Sequence, residues 1–228
     1  MKISMDRKTI RLLIADDHTI VRQALTSLLS LDDTLEVVGE AADGRSAVEL
    51  SAKLDPDVIL MDINMPLLNG LEATRQIRKS SPAIKILILS AHDNEEYILQ
   101  VMRAGANGYL LKHGSAEDLY AGIRAVLAGQ TFFSRTIPQV LIDHSARQAL
   151  LAEESAEQPS AGILTPRERE ILQLVAEGHT HQHIADILFI SVRTVDTHCN
   201  NIMRKLNIHD GPGLVTYALK NGIITLPR

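Results

Sequence analysis

The first 130 residues alternate between short apolar runs and stretches with helical spacing. The apolar runs lie at 11–17, 36–42, 58–63, 85–91 and 108–112. Several of them are apolar at nearly every position, which is typical of strands buried on both faces of a parallel sheet. Segments with helical spacing separate the runs, and a final helical segment follows the last run at 115–128. This alternation predicts a doubly wound α/β domain over 10–129, with a five-stranded parallel sheet.

The alternation stops at 130–160, which we interpret as a linker. Over 161–228 the apolar spacing is helical throughout. Thr165 is a predicted N-cap with Glu168 three residues later, and Ser191 is the predicted cap of a helix over 191–207. We therefore expect a C-terminal all-α module of four helices, with a tight turn before Ser191 that is typical of a helix-turn-helix.

The composition excludes some classes of protein but does not identify one. Of the 228 residues, 45% are hydrophobic and 22% are charged, which is ordinary for a globular chain. The single cysteine excludes an internal disulfide and fits a reducing compartment. No apolar signal segment is found near the N-terminus, and no run reaches the roughly 20 apolar residues that span a bilayer. We therefore expect a cytoplasmic protein with no membrane segment.

Charged and hydroxyl side chains follow the predicted strands of the first domain. Asp16 and Asp17 end the first strand, Asp62 the third, Ser90 the fourth and Lys112 the fifth. Parallel topology brings these ends to one edge of the sheet, where a divalent cation such as Mg²⁺ would relieve the repulsion between the carboxylates. Asp62 would then accept a phosphoryl group, with Lys112 and Ser90 contacting its oxygens. The plainer alternative is that each acid caps a helix or lies in a loop.

These residues occur in LLIADDH, DINMPLLNG, ILILSA and GANGYLLK, and with them the segment 10–129 resembles the receiver domain of two-component response regulators. The resemblance implies a flavodoxin-like fold, with Mg²⁺ held by Asp16, Asp17, Asp62 and the backbone carbonyl of Asn64. It implies that Asp62 is the phosphoacceptor, with Mg²⁺-dependent transfer of a phosphoryl group to the chain itself and slow self-dephosphorylation.

The same resemblance makes Ser90 and Tyr109 a switch pair, in which the tyrosine turns inward when the serine hydroxyl moves onto the phosphoryl group. On residue type alone, Tyr109 is equally well explained as a half-buried strand aromatic. His113 stands where the family usually has proline. A flavin-binding flavodoxin is disfavoured because the loop after the first strand is anionic. A haloacid-dehalogenase-type phosphatase is disfavoured because Asn64 stands where its second aspartate is needed.

The segment LTPREREILQLVAEGHTHQHIADILFISVRTVDTHCNNIMRKLNI resembles the LuxR-type helix-turn-helix of the NarL/FixJ regulators. The candidate DNA-contacting residues lie on the helix over 191–207: Arg193, Thr194, Asp196, Thr197, Asn200, Arg204 and Lys205. The resemblance places base contacts mainly at Asp196, Thr197 and Asn200. Family members often carry lysine at position 196, so either the target sequence differs or Asp196 lies away from the bases. An aspartate accepts hydrogen bonds from cytosine but does not bind guanine or phosphate.

Histidines at 179, 181, 183 and 198, together with Cys199, resemble a zinc site in composition. We do not expect one, because His181 and His183 are two residues apart at a helix start and point to different faces. We interpret Cys199 as an ordinary helix residue.

These features predict a regulator rather than an enzyme: a sensor histidine kinase phosphorylates Asp62, and the chain binds double-stranded promoter DNA as a homodimer. Coupling between the domains is expected through residues 92–112. The alternatives are a LuxR protein that senses a small molecule, which the 3% aromatic content disfavours, a stand-alone phosphatase, and a constitutive DNA binder. The net charge is −4 over 1–129, −2 over 130–160 and +1 over 161–228. One weakly basic domain binds DNA weakly, so we expect pairing on DNA.

Overall fold

The computed structural model describes residues 9–91, 95–134 and 164–224, without the side chains of residues 95–97. Most of the predicted linker therefore lies outside the described residues, and only its beginning, 130–134, is part of the structure.

The N-terminal domain is built on one parallel sheet, and the predicted doubly wound α/β fold is confirmed. Its strands run in the order β2-β1-β3-β4-β5-β6, so the direction of winding reverses between β1 and β3. The strands are β1 (Ile10–Ala15), β2 (Leu35–Ala41), β3 (Val58–Asp62), β4 (Lys85–Ser90), β5 (Gly108–Leu111) and β6 (Phe132–Phe133). All five neighbouring pairs are parallel.

The sixth strand corrects the prediction of a five-stranded sheet. β6 contains only two residues, too few to show any alternation of polar and apolar positions. It is defined by its pairing with β5, in which Gly108 faces Phe132 and Tyr109 faces Phe133. The Ser134 hydroxyl extends this edge by accepting a hydrogen bond from the backbone N–H of Leu111 at 2.9 Å. The sheet therefore continues past the predicted domain boundary at 129.

Helices cover both faces of the sheet. They are α1 (Thr19–Leu29), α2 (Gly44–Leu54), α3 (Gly70–Ser80), α4 (Glu95–Arg103) and α5 (Ala116–Leu127). Two separate apolar clusters result, one containing Ala47, Ile77 and Ile98 from α2–α4, the other Leu29 and Ile123 from α1 and α5. Burial of these side chains from water is the main force that holds the layers together.

The C-terminal domain consists, within the described residues, of the four predicted helices: α6 (Pro166–Ala176), α7 (His181–Leu188), α8 (Val192–Leu206) and α9 (Gly211–Lys220). Thr165 and Glu168 form the predicted capping box at the start of α6. Phe189, with φ 52°, lies in the left-handed region and turns the chain from α7 towards α8, whose N-cap is Ser191. A third apolar cluster fills the centre of this domain. Among the described residues, no helix is long and apolar enough to cross a membrane.

A close backbone approach at Gly70 gives a test of this packing. A Cβ at position 70 would lie 1.9 Å from the backbone carbonyl oxygen of Asp62, so Gly70→Ala forces backbone to move. We expect this change to lower the free energy of unfolding by about 2–4 kcal/mol, measured by urea denaturation followed by circular dichroism. Gly211→Ala is the control, because a Cβ there meets nothing within 4 Å. Equal stability of the two variants would contradict the described packing.

Candidate functional site

The five predicted pocket residues meet at the carboxyl edge of the sheet. Asp16 and Asp17 follow β1, Asp62 and Ser90 are the last residues of β3 and β4, and Lys112 follows β5. Asp16 is 1% exposed and Asp62 is 3% exposed, so both carboxyl groups are nearly excluded from water. Burying two carboxyl groups side by side is costly unless a positive charge lies beside them.

Lys112 supplies that charge. Its Nζ lies 2.6 Å from Oδ2 of Asp16 and 2.9 Å from Oδ2 of Asp62. Burial raises the pKa of Asp62 above its ordinary value, and Lys112 opposes that rise. Burial alone would lower the pKa of Lys112, but the charges of Asp62 and Asp16 outweigh it and raise that pKa. The backbone N–H of Ile63 also donates to Oδ1 of Asp62 at 2.8 Å.

The same edge presents a group of side chains that could hold a metal ion. One ligand atom from each of Asp16, Asp17, His18 and Asp62 can be chosen so that all four lie within 4.8 Å of one another. Carboxylate oxygens are the ligands preferred by hard cations such as Mg²⁺. The sequence interpretation did not include His18, although its position directly after the acid pair was a visible signal. Its Nδ1 lies 2.7 Å from Oδ1 of Asp17.

Ser90 and Tyr109 lie inside the domain. Ser90 is 1% exposed and Tyr109 is fully buried, in the cluster that also contains Ile88 and Ile98. Tyr109 is therefore more buried than the half-buried strand aromatic considered above, and its role as a switch stays a prediction. Asn64 is half-buried, and His113 is exposed beside the pocket lysine.

The loop after Asp62 is tightly folded and leads to the second domain. The backbone N–H of Gly70 donates to the carbonyl of Ile63 at 2.8 Å, which closes the loop on itself. Leu67 has a φ of 65°, a left-handed conformation that is unfavourable for a branched side chain. Its side chain packs against the apolar cluster of the C-terminal domain. Contact with the other domain thus offsets a locally strained backbone.

Gln173 of α6 forms the centre of the contact between the domains. The side chain is 2% exposed. Its Oε1 accepts a hydrogen bond from the backbone N–H of Asn69 at 2.8 Å, and its Nε2 donates to the carbonyl of Met65 at 3.0 Å. The side-chain amide of Asn69 donates to the carbonyl of Ile223, just beyond α9, at 3.2 Å. Both α6 and the residues beyond α9 are thus hydrogen-bonded to the loop that follows Asp62.

Charged side chains surround this contact. Nε of Arg169 donates to Oε2 of Glu72 at 2.8 Å, and Arg75 donates to the same oxygen at 2.9 Å. Arg45 lies 3.5 Å from Glu170 across the interface. The sequence interpretation expected coupling through 92–112. The polar contacts described between the domains lie at Arg45 and at 65–72, positions that no periodic pattern in the sequence marks. Coupling through 92–112 stays a prediction.

Helix α8 presents one face to solvent in this arrangement. Five of the candidate DNA-contacting residues are exposed there: Arg193, Asp196, Thr197, Asn200 and Arg204. Thr194 is partly buried and bonds to the N-cap Ser191. Lys205 is exposed as well, but its Nζ lies 2.7 Å from Glu168 at the start of α6, so its charge is paired within the domain. The exposed face is not covered by the N-terminal domain.

The histidine-rich segment makes two separate contacts. The rings of His179 and His183 lie 5.0 Å apart and are tilted against each other. His181 points instead to α8, where its Nδ1 is 2.6 Å from Oδ1 of Asp196 and its Nε2 is 3.7 Å from the sulfur of Cys199. The pairing of Asp196 with His181 was not visible in the sequence, because fifteen residues and a turn separate them.

Comparisons with known proteins agree with both domains. The family model described as the response regulator receiver domain matches residues 12–124, and the model described as bacterial regulatory proteins of the luxR family matches 162–218. The chain is 38% identical to the transcriptional regulatory protein DegU of Brevibacillus brevis, over 97% of this chain and 98% of DegU. It is 41% identical to the oxygen regulatory protein NreC of Staphylococcus carnosus, over 94% of this chain and 99% of NreC.

The chain is also similar to a solved structure in three dimensions. The response regulator RcsB in complex with DNA superposes with a TM-score of 0.58 at 27% identity, and the match covers 93% of this chain and 98% of RcsB. The similarity thus spans both domains and their order along the chain.

The burial of Cys199 gives a chemical test of the C-terminal domain. Burial, with a smaller contribution from Asp196, raises the pKa of this thiol from 9.0 to about 11. At neutral pH that lowers the reactive thiolate fraction about a hundredfold. We expect iodoacetamide to label the native chain at least tenfold more slowly than the chain unfolded in urea, as followed by intact mass spectrometry. The chain has one cysteine, so no other thiol contributes. Equal labelling rates would contradict the buried position.

Proposed function

Since this chain belongs to the NarL/FixJ family of two-component response regulators, we propose that it is a transcriptional regulator controlled by phosphorylation of Asp62. The observation that carries this assignment is the buried arrangement of Asp62, Asp16 and Lys112 at the edge of the sheet. It places one carboxylate beside a cation and beside further oxygen ligands, as transfer of a phosphoryl group to a carboxylate requires.

The donor set fits a magnesium ion. Asp16, Asp17, Asp62 and the backbone carbonyl of Asn64 are the residues that would hold it, and His18 lies next to them. When bound, the ion supplies positive charge to the oxygens of the phosphoryl group. A carboxylate oxygen of Asp62 attacks phosphorus, and the bond to the donor breaks. Lys112 then contacts one phosphoryl oxygen, and the Ser90 hydroxyl donates to another.

A sensor histidine kinase is the donor in this proposal, and slow hydrolysis of the acyl phosphate returns the chain to its resting state. The chain acts as a regulator and not as an enzyme with turnover on an external substrate. A cytoplasmic location belongs to the same proposal, since both kinase and DNA must be reached there. Tyr109, buried beside β4, is the proposed partner of Ser90 in the switch.

The contact between the domains supports a direct route from phosphorylation to DNA binding. Asp62 and Asn69 are seven residues apart, and the loop between them is bonded to Gln173 and packed through Leu67 against the second domain. A phosphoryl group on Asp62 adds negative charge and bulk at the start of this loop. We infer that the change weakens the contact and frees the C-terminal domain to pair with that of a second chain.

The exposed face of α8 is the proposed surface for double-stranded DNA. In a helix-turn-helix the second helix enters the major groove, and here that helix is α8. The C-terminal segment has a net charge of only +1, so a single domain gains little from counterion release. A homodimer that joins two such faces would double that gain, which is why pairing on DNA is part of the proposal. The proposed contacts are Arg193, Thr194, Asp196, Thr197, Asn200 and Arg204; Lys205 contributes once it is released from Glu168.

The phosphoacceptor is tested by Asp62→Asn, which removes the attacking oxygen but keeps the shape. We expect no incorporation of phosphate from acetyl phosphate with Mg²⁺, measured by mass spectrometry at neutral pH. Asp33→Asn, at an exposed carboxylate far from the pocket, is the matched control and retains incorporation. Equal labelling of the Asp62 variant and the parent protein would show that another residue is the acceptor.

The route between the domains is tested by Gln173→Ala. This change leaves the backbone groups of Asn69 and Met65 without their partners, so we expect the domains to separate without phosphorylation. The loss of two hydrogen bonds predicts about a tenfold gain in DNA affinity of the unphosphorylated chain. Small-angle scattering would show a larger radius of gyration. Gln23→Ala, at an exposed position on α1, is the control. A constitutive DNA binder would show the same affinity with and without beryllofluoride in every variant.

A further inference from the structure

Asp196 and His181 are hydrogen-bonded to each other on the surface proposed to face DNA. Asp196 is 53% exposed on α8, and His181 is 44% exposed in the first turn of α7. Exposed pairs of this kind contribute little to stability, so folding does not explain the contact. Its position does suggest a role, because Arg193, Thr197 and Asn200 occupy the same exposed face of α8.

The hydrogen-bond chemistry fixes the state of the imidazole. An ionised aspartate only accepts hydrogen bonds, so Nδ1 of His181 carries the proton that is shared with Oδ1 of Asp196 at 2.6 Å. On the other side of the ring, Nε2 lies 3.7 Å from the sulfur of Cys199. The buried thiol is protonated at neutral pH and donates to Nε2. A ring that donates from Nδ1 and accepts at Nε2 satisfies both contacts.

We propose that His181 is a positioning residue for base recognition, which holds Asp196 as an oriented hydrogen-bond acceptor on the exposed face of α8. This inference rests on the proposed role of α8 as the helix that enters the major groove. His181, itself in contact with Cys199, anchors one oxygen of the carboxylate, and the Asp196 side chain stays 53% exposed. A side chain fixed in advance loses less conformational entropy when it binds.

An oriented carboxylate selects cytosine among the bases exposed in the major groove. The cytosine N4 amino group donates a hydrogen bond there, and the neighbouring C5–H position does not repel an anion. Guanine presents only acceptors, thymine presents O4, and adenine places the acceptor N7 beside its amino group. Asp196 is therefore expected to favour a C·G pair at one position of each half-site.

The test uses a double-mutant cycle on the full chain. A random-sequence library of double-stranded DNA is enriched on the protein in the presence of beryllofluoride and Mg²⁺, and affinities are then measured in the same state on duplexes that differ at one base pair. We expect Asp196→Ala to abolish the cytosine preference at one position and His181→Leu to reduce it about three- to tenfold. The preference of the double variant should equal that of Asp196→Ala alone, because His181 acts only through Asp196.

Two further variants separate positioning from general stability. His181→Asn places an amide N–H close to the position of Nδ1, so it should restore most of the cytosine preference. His183→Leu, an exposed histidine on the same helix without a contact to Asp196, should leave the preference unchanged. A merely structural role for His181 would lower affinity for every duplex equally and would not be rescued by asparagine.

The outcomes distinguish this inference from the function on which it rests. Loss of the preference in Asp196→Ala but not in His181→Leu overturns the positioning role and leaves the DNA-binding function standing. An unchanged preference in Asp196→Ala shows that this carboxylate does not contact bases, which also overturns the inference. Failure of the parent protein to enrich any DNA would overturn the proposed function itself.

Discussion

Two carboxyl groups, those of Asp16 and Asp62, lie almost entirely out of water at one edge of the sheet, and the ammonium group of Lys112 lies between them. Charges in such a position are tolerated only where opposite charge and hydrogen bonds compensate them. The three side chains come from the ends of β1, β3 and β5, so their meeting requires parallel strands in this order. The order of the sheet, the burial of its core and the chemistry of the pocket therefore depend on one another.

The packing around Asp62 also constrains the second domain, through the short loop between Asp62 and Gly70. Gly70 packs its backbone against the carbonyl of Asp62, so the start of α3 cannot move independently of the pocket. Between these two residues the loop turns through Leu67 and ends at Asn69, both of which contact the C-terminal domain. A change in charge at Asp62 thus acts on a segment that is already held at both ends. Packed interfaces of this kind change between discrete arrangements rather than deform gradually.

The C-terminal domain leaves α8, the helix proposed to bind DNA, exposed while it is docked. The polar contacts are made by α6 and by the residues beyond α9, and the candidate residues on the solvent face of α8 stay exposed. In the proposed mechanism, docking restrains the direction of α8 and its pairing with a second chain without covering its exposed face. The same mechanism draws on the net charge of only +1 over 161–228, because one such domain gains little from the phosphate backbone.

The secondary-structure elements and the acidic residues at the strand ends could be predicted from the sequence. Helix caps such as Thr165 with Glu168, and buried strands, follow from neighbours within a few residues, and parallel topology is enough to bring the strand ends together. Four features became visible only in the folded structure. They are the two-residue strand β6, the hydrogen bond of Gln173 to the loop after Asp62, the pair of Lys205 with Glu168, and the pair of Asp196 with His181. These contacts join residues that are distant along the chain, so no periodic pattern in the sequence marks them. The contact of Gln173 also depends on how the two domains pack together.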